Sequence, residues 1–123
     1  MMNILNKEIN KLRDLCYNAS LEAGWHTDIV SGELIERNKA EMICLMHSEL
    51  SEAMEGERKD LMDDHLPHRK MFDMELADAV IRILDIAAHL VPDFTEILVE
   101  KLNYNQGRED HRQESRRLAN GKK

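Results

Sequence analysis

The chain has 123 residues, of which 42% are hydrophobic and 33% charged, with a formal net charge of −7. That is the size and balance of one globular domain with a core of its own, not of a disordered segment. The acidic balance argues against general affinity for nucleic acid or for an anionic membrane surface, although a metal ion would invert the local field toward a phosphorylated ligand.

Aromatic residues make up only 4%, and Gly and Pro number five and two against eight Met. Such a mix favours helices packed through aliphatic side chains. Cys16 and Cys44 are too few for a disulfide framework and form no CxxC pair. They read as reduced, structural thiols of a cytoplasmic protein. The opening MMNILNKEINK has no long apolar run, so no secretory leader is expected. No stretch is apolar enough for a membrane span.

Over residues 3–23, Leu5, Ile9, Leu12, Cys16 and Ala19 recur at helical spacing and mark one face of an amphipathic helix, with Gly24 as its C-terminal stop. Residues 25–37 lack a period, contain the only Trp, and read as a loop with a short turn. A second helix starts after Asn38, whose pairing with Glu41 resembles a capping box. It runs to about Asp60 through Met42, Leu45, Met46, Glu49, Glu52, Ala53 and Gly56. Residues 61–69, with Pro67, form a connection.

The third helix begins near Lys70 and stops before Pro92. On an ideal helix Glu75, Asp78, Arg82, Asp85 and His89 share one stripe roughly 80° wide, and the rest of the circumference is apolar. Asp93, with Glu96 three residues on, predicts the cap of a fourth helix that ends at Gly107. The segment from 106 to 123 holds six basic and three acidic residues, a net +3, and almost no apolar ones. It is expected to be a largely mobile or partner-docked extension (108–123) to a domain spanning 1–107.

The polar stripe on the third helix needs partners, because buried carboxylates are unfavourable unless paired or metal-bound. Glu49 and Glu52 share a face of the second helix at i, i+3, and Glu75 and Asp78 repeat the spacing on the third. An antiparallel pair of helices would oppose the two sets. Four converging carboxylates call for a counter-charge, and an all-oxygen set suits Mg²⁺, with Mn²⁺ as a substitute. The Glu-x-x-His of a di-iron bundle is missing beside these acids, and Cys44 is off their face, which disfavours zinc. The competing reading is a set of structural salt bridges, with Arg82 as the obvious partner. Asp85 reads either as a further ligand or as the partner of Arg82, and His89 as a polar residue at the helix end.

Together, Glu49-x-x-Glu52, the spacer, Glu75-x-x-Asp78, and the wording HSELSEAMEGERKD and ELADAVIRILDIAA resemble the MazG-like, all-α nucleoside triphosphate pyrophosphohydrolases. KLNYNQGR is similar to the family's Lys-x-x-x-Asn-x-x-Arg element, matched by Lys101, Asn105 and Arg108. The resemblance covers about residues 20–111. It implies an all-α fold of four main helices whose four-helix-bundle core is completed by oligomerisation, as a homodimer or homotetramer. It further implies that Glu49, Glu52, Glu75 and Asp78 bind Mg²⁺ and serve catalysis, and that Lys101, Asn105 and Arg108 hold the phosphates or sugar. The reaction would split a (deoxy)nucleoside triphosphate into monophosphate and pyrophosphate. Trp25 is either a stacking platform for the base, with His26 beside it, or an aromatic at the edge of the core. Arg37 and Lys39 read as phosphate contacts or as solvated charges at a helix start. The alternative function is a non-enzymatic helical interaction module whose carboxylates are structurally paired.

Overall fold

A computed structural model describes residues 2–119, and among them the chain is all-helical. The α-helices are α1 (Met2–Glu22), α2 (Lys39–Lys59), α3 (Met71–Leu90), α4 (Phe94–Gly107) and α5 (Gln113–Ala119), with a 3₁₀ turn at Glu109–His111. No described helix is long and apolar enough to cross a membrane. The chain divides into two compact units, Lys11–Pro92 and Met1–Asn10 with Asp93–Lys123.

Gly24 stops α1 as its spacing predicts. It takes φ +85°, a conformation glycine adopts without a Cβ penalty, and two bonds close the end: Gly24 N–H to Leu21 O and Trp25 N–H to Ser20 O. Of the predicted apolar face of α1, Cys16 is buried, while Leu5 and Leu12 remain about half exposed. The loop that follows folds into turns pinned by a single antiparallel bridge between Thr27 and Leu34.

Asn38 caps α2, its Oδ1 accepting from Glu41 N–H at 3.1 Å. At the far end Asp60 turns the chain with φ 50°, its N–H bonding to Glu57 O while Leu61 N–H reaches Gly56 O. The connection then doubles back: Met71 N–H bonds Leu61 O, Asp63 N–H bonds Arg69 O, and Lys70 reaches the Asp60 carboxylate at 3.2 Å. This brings α3 back along α2 as an antiparallel hairpin. Small residues line the contact. Ala53, Ala79 and Ala87 are buried with Met42 and Leu84, and Gly56 sits where a Cβ would fall 2.8 Å from Met71.

One expectation needs correcting. Asp93 precedes α4 but makes no side-chain cap bond; its ψ of 23° departs from the extended backbone that aims a capping side chain at the first helical amides. The segment after Gly107 is helical through Ala119, where Gln, Glu, Arg, Leu and Ala are good helix formers; residues 120–123 of that segment lie outside the described ones. On the apolar circumference of α3, Leu76, Val80, Ile81 and Ile83 are 38–51% exposed.

Candidate metal centre

The hairpin brings the two predicted carboxylate sets together. Glu49 and Glu52 from α2 and Glu75 from α3 each offer an oxygen within 4.8 Å of the other two. Glu49 and Glu75 are buried, each 8% exposed, and Glu52 opens to solvent. These three residues would hold a hard divalent cation through their oxygens.

The protonation pattern follows from this crowding. Burial pushes the Glu75 carboxyl up to about 8, helped by its hydrogen bond to Glu49 and the charges of Glu52, Glu49 and Asp78. Burial also acts to raise Glu49, but hydrogen bonds from Glu75 and Arg82 outweigh it and hold Glu49 low. The opposite shifts favour the protonated form at Glu75 and the carboxylate at Glu49. Its Oε2 is buried with no hydrogen-bond partner. An orphaned buried oxygen costs roughly 1–3 kcal/mol, and more if charged. A divalent cation would replace the proton and take up that oxygen, so the donor set fits a hard metal ion.

Asp78 lies beside this group and outside the three that close on one point. It contacts Glu75, and partial desolvation with the charges of Glu49 and Asp63 raises its carboxyl. Arg82 is paired with Glu49, Nε to Oε1 at 2.6 Å, and not with an acid of its own helix. Asp85 is neither a ligand of the group nor a partner of Arg82. Its Oδ1 accepts from His26 Nε2 at 2.7 Å, across from α3 to the loop after α1.

That bond belongs to a cluster which sequence reasoning missed. His26 is fully buried and stacks on His89 at 4.9 Å and on Tyr17 at 5.2 Å between ring centres. His89 sits in the last turn of α3 as expected, with its ring packed in this stack, and burial lowers its pKa. Cys16 is raised by burial and by the Asp85 charge. The available signal was His89 one turn beyond Asp85 on an apolar helix. The expectation that His26 joins a base-stacking surface is overturned by its burial.

Trp25 is 67% exposed, which removes the reading as a core-edge aromatic. It lines a cavity of about 750 Å³ together with Arg37, Glu49, Asp78, Arg82 and Asp85. Arg37 Nη1 donates to Trp25 O at 2.6 Å and fixes the loop there. Lys39 is exposed at the start of α2. Lys101, Asn105 and Arg108 belong to the other unit. The Lys101 ammonium lies 4.8 Å over the Tyr104 ring, Asn105 Oδ1 is buried without a partner, and Arg108 grips Asp110 with Nε and Nη2 at 3.0 and 2.7 Å. Comparison with protein-family models, with curated proteins and with solved structures finds no match to this chain.

Proposed function

We propose that the chain is a Mg²⁺-dependent nucleoside triphosphate pyrophosphohydrolase of the MazG-like kind, working as a cytoplasmic homo-oligomer. The observation that carries this reading is the group Glu49, Glu52 and Glu75 closing on one point, with an orphaned buried oxygen on Glu75 where a cation would fit. Glu49, Glu52 and Glu75 would hold the metal, with Asp78 completing the set through the outer edge of the cavity. When bound, the metal would neutralise phosphate oxygens and supply an activated water for attack on the anhydride. Arg82 keeps Glu49 ionised and oriented. Trp25 offers its exposed face to the base. Lys101, Asn105 and Arg108 are the proposed phosphate or sugar contacts, and Arg108 would exchange Asp110 for the phosphate through the same fork of donors.

The test is release of pyrophosphate from a panel of nucleoside and deoxynucleoside triphosphates. Turnover with Mg²⁺ or Mn²⁺, lost with EDTA and reduced at least about 100-fold in Glu49→Gln, is the expected result. No turnover of any common nucleotide with either metal would sink the reading.

One observation favours the alternative of a non-enzymatic helical module. Glu49 already has a counter-charge in Arg82 at 2.6 Å, as a structural ion pair requires. The module reading expects no change in melting temperature on adding Mg²⁺ and a tolerated Asp78→Asn. The enzyme reading expects stabilisation by Mg²⁺ that grows with its concentration.

A further inference from the structure

The cavity beside the carboxylates has an acceptor built into its wall. Asp85 lines the cavity with a side chain only 11% exposed. One of its oxygens is fixed by His26, which is itself 0% exposed and stacked against Tyr17 and His89. A ring held this way fixes the orientation of the carboxylate, and Asp85 presents an acceptor at the cavity wall. Met42, Leu45, Ile81 and Ile86 supply the apolar part of the lining, and Arg37, Asn38, Glu41 and Arg82 are among its polar residues. An acceptor held in one orientation selects by hydrogen bonding, because a ligand that sets a carbonyl against it leaves two acceptors facing each other. Trp25, Glu49 and Asp78 line the same cavity. A planar heterocycle stacked on Trp25, with its phosphates toward the acids, would lie along Asp85.

We propose that Asp85 is a specificity-determining residue that accepts a hydrogen bond from an exocyclic amino group, so that the site takes amino-bearing bases and rejects uracil and thymine. Cytosine, adenine and guanine each present an N–H₂ donor. Uracil and thymine flank their one ring N–H with carbonyl oxygens, which the carboxylate repels. Asp85 acts on the base and not on the phosphates, and the inference rests on the nucleotide reading of the site.

Trp25 is the only tryptophan, so its fluorescence reports the cavity directly. The first arm titrates metal-free protein with cytidine, adenosine and guanosine against uridine and thymidine. Quenching at least about 10-fold tighter for the amino-bearing set is expected, the size of one charge-assisted hydrogen bond. The second arm repeats the titration, and the kcat/KM panel with triphosphates, on Asp85→Asn. This substitution is isosteric, and with its Oδ1 still held by His26 it turns an N–H₂ donor toward the cavity, so the ranking should shift toward uracil and thymine. Melting temperature checks that the variant is folded. Equal quenching by all five nucleosides, no quenching by any, or an unchanged ranking in folded Asp85→Asn overturns the inference. Base-selective quenching without turnover of any triphosphate overturns hydrolysis and leaves the role of Asp85 standing.

Discussion

The raised Glu75 carboxyl says which way the metal-free protein responds to pH. The folded state holds this carboxyl near 8, against 4.5 when unperturbed. Between those values the folded chain binds a proton that the unfolded chain has released. Stability therefore falls as pH rises through that window, and the full penalty is present above 8. Glu75→Gln keeps the hydrogen bond to Glu49 and cannot ionise. In EDTA at pH 8 the variant should be more stable than the parent by about 1–3 kcal/mol, with the difference shrinking toward pH 5. Chemical denaturation at pH 5.5 and 8 reads this, and equal pH slopes for the two proteins would contradict the assignment. The same variant should lose the stabilisation that Mg²⁺ gives the parent, because the ion and the proton compete for one carboxylate. A gain in the metal-free state joined to a loss in the metal response is not the pattern of a simple packing defect.

The element that places these acids is the α2–α3 hairpin, and its tightest point is Gly56. It stands one turn beyond Glu52, and Met71 stands one turn ahead of Glu75, so the gap there sets the distance between the two carboxylate sets. A Cβ at 56 would meet Met71 Cβ and Cγ at 2.8 Å and the backbone nitrogen of Phe72 at 3.1 Å. Alanine favours a helix interior over glycine by up to about 1 kcal/mol. Overpacking against a Cβ and a backbone atom that cannot rotate away costs about 1–3 kcal/mol. The second effect wins: Gly56→Ala should lower stability by roughly 1–2 kcal/mol, and the splayed hairpin should bind Mg²⁺ more weakly, as paired denaturation and metal titrations would show. A variant more stable than the parent would mean that the hairpin can open without loss. The hairpin and the facing of Glu49, Glu52 and Glu75 were legible from i, i+3 spacing on two helices because helical periodicity alone sets which residues share a face. The stack of Tyr17, His26 and His89 was not, since it joins three elements and no single helix repeats its pattern. The Asp93 cap was misread because capping depends on backbone angles that the residue type does not determine.

At the scale of the molecule, the unsettled feature is the amount of apolar surface that the single chain leaves uncovered. Leu76, Val80 and Ile83 follow at i, i+4 and i+7 on α3 and are 38–51% exposed; Ile43, Leu50 and Met54 make a second stripe on α2, 47–69% exposed. Isolated apolar side chains on a surface need no explanation, whereas aligned stripes on two packed helices are what a further helix layer would cover. The proposed homo-oligomer supplies that layer from a second copy. Most of these side chains are already about half buried within the chain, so each would gain roughly half of the about 1.5–3 kcal/mol that full burial is worth, a driving force for association that is partly offset by its entropy cost. Sedimentation of the full chain should accordingly give a dimer or tetramer. Val80→Asp, at the middle of the α3 stripe, should shift it to the monomer because a charge cannot be left unpaired in such an interface. Val80 is half exposed within the chain, so the substitution should leave the helical content of the monomer intact, and circular dichroism separates dissociation from unfolding. A parent protein that sediments as one chain at tens of micromolar would remove self-association as the reason for the stripes. If instead the monomer forms and Mg²⁺ no longer stabilises it, the carboxylate group depends on the partner copy for its rigidity, because the hairpin that carries Glu49 and Glu75 presents its outer faces to that interface.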